Sequence, residues 1–560
     1  MKGMKAHSTL WLFFSFLISI HCQTVGTLTF EEGTQDGYTF FSPFSGTKSY
    51  MVDNCGRLVN SWERGSLPGL SAYFLEDGLM LRTYKVGPLG PFNSASNAGG
   101  LELVDWDNQV VWSYEINTST WLSHHDAVRM PNGNLLVLTW EIISDIDLIE
   151  LGRDPGEIAP QGYAWNERII ELEPIGTNEI QIVWEWRVKD HYIQDFDPSK
   201  QNFGVVSEHP ELFDINLPDI KSSNSHSDFD YNHFNSIDYN PSLDQILISV
   251  RNSDEIWILD HSTTTQEATT HSGGMYGRGG DILYRYGNAN AYGRGPVSDQ
   301  KLFGQHGAHW IKEGLADEGK ILVYNNGNGR PGTDYSEAEI LVPPQNPDGS
   351  YPVPDTDPFG PSEPFWQYGN LGAQFFYSPF LSNAQRLPNG NTLINAGSTG
   401  RIFEINELEE IVWQYEVPLN ADNPVSQGNN ANNNGVFRAY KYPHDYPGFN
   451  NVDLSPGDLL QIDLNPPDCS PVNTQNPGEL SFSLFWNSEA NSLEILNDTG
   501  ETISTSIIDV FGQIIMEFKA PPGRSSSQFT PQVPGIWFFL SQGKEGIGLS
   551  GKFFAGPFLN

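Results

Sequence analysis

The chain is 560 residues long and carries 30 basic against 69 acidic residues, a formal net charge of −39. A surface so negative repels phosphate backbones, which excludes nucleic acid as a partner, and it suits a solvated protein in salty water. The length allows two or three domains, although a β-propeller holds far more than the usual ~150 residues in one.

The first residues read as an address. Lys2 and Lys5 precede the apolar run Leu10–Ile20, which is the length of a signal-peptide core and short for a bilayer span. Residues 1–22 are therefore expected to be a signal peptide cut near Cys22, leaving a protein secreted or displayed on the cell surface. No later segment is long and apolar enough for a membrane helix. Cys55 and Cys469 then remain; a disulfide between them is permitted outside the cytoplasm, and two separate thiols are equally allowed. There is no CxxC pair and no zinc signature, so neither metal nor other cofactor is expected.

The body of the chain is strand-like, with aromatic and β-branched runs punctuated by Gly, Pro, Asn and Asp. A tight turn followed by an apolar strand recurs at Leu75–Thr83, Met130–Trp140, Tyr239–Val250, Glu313–Asn325 and Arg386–Gly397. Each is followed by a second hairpin ending in an aromatic, as in Gly100–Glu115, Arg168–Trp186 and Gly400–Glu416. Asn-Gly and Asp-Gly supply the left-handed positions that two-residue hairpins need. Four strands per unit around a ring predict propeller blades, numbered one to five in that order. A sixth is assembled from the two ends, Ser49–Glu63 and Gly435–Pro443, which closes the ring and removes free sheet edges. The expectation is all-β: a six-bladed propeller over 23–460, a Pro/Asn-rich linker over 461–480, and a small β-sandwich over 481–560.

Within the repeats, one register before the turn holds His125 in blade two, His233 in blade three and His306 in blade four, with His309 three residues on. Inner strands line the channel, so these side chains are expected to converge on the axis; a structural role in the channel wall is the alternative. Blade five offers Ser382 at the same place. Arg330, in the Asn/Gly-rich segment after Ile321–Asn325, is expected near the same mouth, and its planar fork of donors suits a tetrahedral oxyanion. Arg251 occupies a comparable place in blade three, as a second anion ligand or as one half of an ion pair. The glycines of Gly273–Asp281 lack the strand-then-helix context of a phosphate loop and read as a surface insertion. The Asp/Asn-rich stretch at 222–232 reads as a solvated loop, with calcium binding the lesser alternative.

The motifs His124–Leu138, Asp230–Ser262, Leu283–Ile311, Ile321–Pro331 and Ala384–Ile405 resemble the arylsulfotransferase family, over most of residues 45–450. The resemblance implies a six-bladed propeller that moves a sulfuryl group from an aryl sulfate to a phenol without a nucleotide donor. It also implies that His233, His306 and Arg330 hold the sulfate; His125 and His309, taken from the repeat register, are the further catalytic candidates. The family's sulfate-carrying histidine belongs to a later blade, where the repeat places Ser382. Three readings follow: His306 or His309 substitutes, transfer is direct, or the fold does something else. A non-catalytic binding propeller, a sulfatase and a metal-dependent hydrolase remain as alternatives. The strands Ile507–Phe518, Pro534–Gly543 and Gly551–Phe554 resemble the C-terminal sorting domain of the type IX secretion system, which implies that secretion machinery as a partner; a carbohydrate-binding module is the alternative.

Overall fold

A computed structural model describes residues 23–217, 230–463 and 469, and in the C-terminal region residues 482–487, 492–497, 502–508, 514–528, 535–542 and 548–555. The signal peptide expected over 1–22 lies outside the described residues, as do most of the linker and residues 222–229 of the calcium candidate. Two compact units are present, Met1–Val472 and Asn473–Asn560. Among the described residues the first is almost wholly β, with one six-residue α-helix, Asp145–Glu150, and scattered single turns. No helix of the described residues is long and apolar enough to cross a membrane.

The first unit is a six-bladed propeller. The innermost strands of blades one to five are Pro68–Phe74, Trp121–Arg129, Phe234–Asn240, His306–Trp310 and Asn383–Arg386, each leading outward through three more strands in chain order. Blade six is the joint of the two ends. Its inner strand Val436–Pro443 pairs antiparallel with Gly37–Pro43, with Tyr38 opposite Tyr442, and the sheet continues through Lys48–Asp53 and Leu58–Glu63. The strand Gly26–Phe30 adds a fifth, outer strand to blade five by pairing with Ile411–Glu416. The chain thus closes the ring twice, which covers edges that would otherwise seek a partner. Cys55 and Cys469 are joined by a disulfide, Cα atoms 5.8 Å apart, which decides between the two alternatives open in the sequence.

Packing explains the repeat. Second strands such as Gln245–Val250 are buried along their whole length, because both faces meet neighbouring blades, and their sequences are continuous apolar runs. The recurring tryptophan near each outer strand is an inter-blade clamp. Trp62, Trp112 and Trp413 are buried, and each donates its indole N–H to a carbonyl in the outer turn of the next blade: Asp105 at 2.8 Å, Glu179 at 3.1 Å and Asn54 at 2.8 Å. Trp184 does the same for Thr263 Oγ1 at 3.2 Å. A buried indole with its single donor satisfied is the most area one residue can bury between two sheets. At the axis, space is the constraint. Ala72, Ala127, Ser236, Ala308, Ala384 and Ala439 recur at one position of the six inner strands, all buried.

The C-terminal unit holds two small antiparallel sheets. One has three strands, Phe482–Asn487, Ser492–Asn497 and Gly523–Gln528; the other has four, Ile503–Ile508, Ile514–Ala520, Gly535–Gln542 and Gly548–Ala555.

Candidate functional site

Just before the small residue of each inner strand the sheet is irregular. The pairing shifts across Pro68/Ala72, Val137/Thr139, Phe234/Ser236 and His306/His309. Such bulges re-aim side chains out of the pleat. Leu70, His125, His233 and Ser382 take left-handed backbone there, with φ of +115°, +44°, +53° and +91°. For residues with a Cβ this conformation costs of order 1–3 kcal/mol each, and such strain gathers at functional sites.

The bulges bring three of the sequence-flagged histidines together. The rings of His125 and His233 meet edge to face at 4.6 Å, and His125 and His306 flank Phe437 of blade six, each at 6.2 Å between centroids. His306 is buried, and its Nδ1 faces two acceptors, Asn326 Oδ1 at 2.7 Å and the Gly304 carbonyl at 2.9 Å. Asn326 in turn donates its amide hydrogens to the Ser378 and Leu381 carbonyls at 2.7 and 3.0 Å, which fixes its orientation. The His306 proton therefore sits on Nδ1 and Nε2 presents a lone pair. Burial, helped by the Arg251 charge, lowers its pKa to about 3, so the ring is neutral at pH 7.

Behind His125 runs a buried relay that the sequence did not single out. His125 Nδ1 and His124 Nδ1 are 2.8 Å apart, and His124 Nε2 lies 3.0 Å from Glu167 Oε2. Trp140 stacks on His124 at 4.0 Å and donates its N–H to Glu167 Oε1 at 3.1 Å, and the Phe234 amide donates to the same oxygen at 2.8 Å. Burial first, and then Asp230, pushes the Glu167 pKa well above the usual carboxylate range. Burial lowers His124 to about 3 and His125 well below its ordinary value. The chain has two self-consistent settings. With Glu167 protonated, each proton points toward the axis and His125 Nε2 is a donor; with Glu167 ionised, each points back and His125 Nε2 is an acceptor.

His233 Nδ1 is 2.5 Å from Asp230 Oδ2. Both amide atoms of the neighbouring Asn232, and Asp230 Oδ1, are buried with no partner among the described residues. Arg251 is 5% exposed, and its hydrogen bond goes to Asn252 Oδ1 at 3.3 Å. It has no carboxylate ion-pair partner among the described residues. Its guanidinium lies against Gly304, where a Cβ would come within 3.9 Å of Nη2, two residues from His306.

Below this group Arg438, from the blade six inner strand, reaches across the axis. It pairs with Asp126 of blade two at 2.7 Å, donates to the Asn235 carbonyl of blade three at 3.1 Å, and contacts the Tyr73 hydroxyl of blade one. Tyr73 donates to Asp126 Oδ1 at 2.6 Å. The pair cross-links four blades. A basic residue directly before the small axial Ala439 was the signal for it, since a charge there has to be paired.

The remaining flagged residues are placed as follows. Arg330 is taken up by Glu337 at 2.5 Å and stacks on Tyr335 at 3.9 Å, with Phe303 at 5.5 Å; Arg251, not Arg330, is the arginine whose charge is felt at His306. His309 is mostly buried, donates from Nδ1 to the Gly307 carbonyl at 2.9 Å, and has its pKa lowered by burial to about 4. Ser382 borders Phe437, its amide donating to that carbonyl at 3.0 Å. Its hydroxyl accepts from the Gly397 amide at 2.9 Å and lies 2.9 Å from Ser378 Oγ, and among the described residues no imidazole or carboxylate touches it.

Neutral histidines and a buried arginine thus lie together at the axis of a six-bladed propeller. The arylsulfotransferase (ASST) family model matches residues 103–427, and the chain belongs to that family. No curated relative matches this sequence. Among solved structures, a streptogramin B lyase is 11% identical with a TM-score of 0.32, covering 76% of this chain and 96% of its own. The periplasmic gluconolactonase PpgL of Pseudomonas aeruginosa is 9% identical with a TM-score of 0.32, covering 88% and 98%. Likeness this slight carries nothing across to this chain.

Proposed function

We propose that the protein transfers a sulfuryl group from an aryl sulfate to a phenol, with His306 as the transient carrier. The observation that carries this is the buried Arg251, which has no carboxylate ion pair among the described residues, beside the neutral imidazole of His306, whose Nε2 presents a lone pair. Sulfuryl transfer resembles phosphoryl transfer in its loose, in-line transition state, so positioning and charge stabilisation dominate. Arg251 and the Asn232 amide hold the equatorial oxygens, and His233 borders the same space.

In the first half-reaction the N–S bond forms at His306 Nε2 as the S–O bond to the aryl group breaks. The departing phenolate takes a proton from His125 Nε2; His125 regains one at Nδ1 from His124, and His124 regains one at Nε2 from Glu167. In the second half-reaction the acceptor oxygen attacks sulfur, the N–S electron pair returns to Nε2, and the phenolic proton passes back along the relay to Glu167. A raised Glu167 pKa supports its role as the resident proton store. Arg330, which the family resemblance points to, has its charge met by Glu337 and is assigned here to the wall of the site.

Export belongs to the same reading. The basic-then-apolar start and the Cys55–Cys469 disulfide support a location outside the cytoplasm, where nucleotide donors are scarce. The C-terminal unit is read as the type IX sorting domain its strands resemble.

The test is a chromogenic aryl sulfate with and without a phenol acceptor. Release that depends on the acceptor is expected; release into water alone means a sulfatase, and none under either condition means a binding module. His306→Ala is expected to abolish release, and Ser382→Ala to leave it within threefold. The reverse result assigns the carrier to Ser382.

A further inference from the structure

On the outer rim between blades two and three, two imidazoles meet one carboxylate. His191 follows the outermost strand of blade two, Glu179–Arg187, and Asp281 precedes the outermost strand of blade three, Tyr284–Tyr286. His271 and Asp281 flank the glycine-rich insertion that the transfer reaction leaves unused. The Nδ1 atoms of His191 and His271 lie 2.8 and 2.7 Å from the same oxygen, Asp281 Oδ1, and the ligand-capable atoms of all three residues fall within 4.8 Å of one another.

The chemistry of His191 decides what this junction is for. Its Nε2 lies 2.8 Å from the Ala268 carbonyl, which only accepts, so Nε2 carries a ring proton and Nδ1 is the nitrogen turned to Asp281. Two acceptors around one ring are met either by a second ring proton or by a cation bound at Nδ1. A ring N–H anchored on a carbonyl, with the other nitrogen free, is also how metal-bound histidines are held. Trp186 reinforces the pose: its ring is parallel to His191 within 3° at 5.4 Å, and its indole donates to the Gly280 carbonyl at 2.7 Å. Gly280 has to be glycine, since a Cβ there would sit 2.2 Å from the Ala268 oxygen and 2.6 Å from His191 Nε2. Two nitrogens and one carboxylate oxygen suit zinc-like divalent ions. Metal–ligand bonds of about 2.0–2.2 Å need ligand atoms about 3.3 Å apart, so both contacts to Asp281 must lengthen, by a turn of its carboxylate and a withdrawal of one ring. The His271 side chain, 61% exposed, is free to do so. A cavity of about 330 Å³ adjoins the cluster, lined by Tyr192, Phe203, His209, Glu211, His271 and Asp281.

We propose that His191, His271 and Asp281 bind one zinc-class divalent transition-metal ion, with its open coordination position facing this cavity. The site is separate from the histidines of the axis, and the proposal stands whether or not these transfer sulfuryl groups. The test is calorimetric titration of the chelator-stripped full chain with Zn²⁺ at pH 7.5, with Co²⁺ absorption as a second readout of coordination number. One equivalent is expected, with visible Co²⁺ bands of a four- or five-coordinate site, and affinity falling about 100-fold in both His271→Ala and Asp281→Asn. His271 lies at the surface, so its variant should fold. Failure to bind one equivalent overturns the proposal, as does binding that His271→Ala leaves unchanged, which would move the metal to other ligands such as the axial histidines.

Discussion

Replacing Arg251 by Met separates a ligand-binding cation from a structural one. Other deeply buried cations have their charges met: Arg82 by Glu102 at 2.6 Å, Arg285 by Glu255 at 2.6 Å, Lys441 by Glu404 at 2.8 Å and Arg438 by Asp126 at 2.7 Å. Arg153 and Arg294, without such a partner among the described residues, spend their donors on carbonyls, of Ile215 and Glu157 and of Ser207, Pro354 and Asp357. Arg251 has the Asn252 oxygen. Removing one preorganised donor to a developing oxyanion costs about 2.7–4 kcal/mol, so kcat/KM for an aryl sulfate should fall about 10²–10³-fold. Stability should change little, because the buried charge removed makes no carboxylate ion pair among the described residues, whereas Arg438→Met should cost about 3–5 kcal/mol by stranding Asp126. The Arg251 charge also helps to depress the His306 pKa, so the acid limb of the kcat/KM profile should move to higher pH in the variant. The assays are initial rates across pH and urea unfolding of both variants. A rate loss under threefold, or a stability loss matching that of Arg438→Met, would refute the argument.

Glu167→Gln removes the proton store, and turnover of aryl sulfates with poor phenolate leaving groups should drop about 10²–10⁴-fold, while good leaving groups lose much less; equal losses across a leaving-group series would count against the relay. Acid should destabilise the fold. His124 and His306 have folded pKa values of about 3 and His309 of about 4, below the unfolded ~6.5, so the unfolded chain takes up the protons first. Each histidine contributes fully above pH ~6.5 and loses about 1.4 kcal/mol per unit as pH falls toward its folded value, which urea midpoints at pH 7, 6 and 5 would read directly. Trp112→Ala, which empties a clamp between blades one and two, should cost about 3–5 kcal/mol in the same assay with kcat/KM for the residual folded enzyme little changed.

The blades were legible because each carries the same local chemistry: an Asn-Gly or Asp-Gly turn, a run of apolar residues for a strand buried on both faces, and a tryptophan whose donor needs the next blade. Even the closing blade followed from its two end segments. The convergence of His125, His233 and His306 was legible for a similar reason, since a repeat register is a spatial register once the ring is closed. The partners were not. His124 neighbours His125 in sequence and was passed over, because alternation along a strand puts adjacent side chains on opposite faces, and only the left-handed φ at His125 brings the two rings into contact. Glu167 lies 43 residues from His124 and reaches it through the third strand of the same blade. Arg330 and Arg251 read alike in the sequence, each following a buried second strand. What distinguishes them is Glu337, which returns beside Arg330 in the next strand and neutralises it.

That difference bears on how an anion enters a protein of charge −39. The global field opposes approach, and at physiological salt it decays within about 8 Å of the surface. Inside the propeller, effective dielectric is lower, and the Arg251 guanidinium acts on the axial space against the nearby Asp254 and Asp230 carboxylates. Burial is the first cause of the neutral histidines; the Arg251 charge adds to it at His306, and the Arg438 charge at His125 and His309. Had the axis held paired arginines only, the same rings would be drawn toward the charged form by carboxylates, as happens to His261 between Asp244 and Glu171, whose pKa is raised to about 9. Arg251, with no carboxylate ion pair among the described residues, thus bears both on the proposed binding of an anion and on the protonation state of His306.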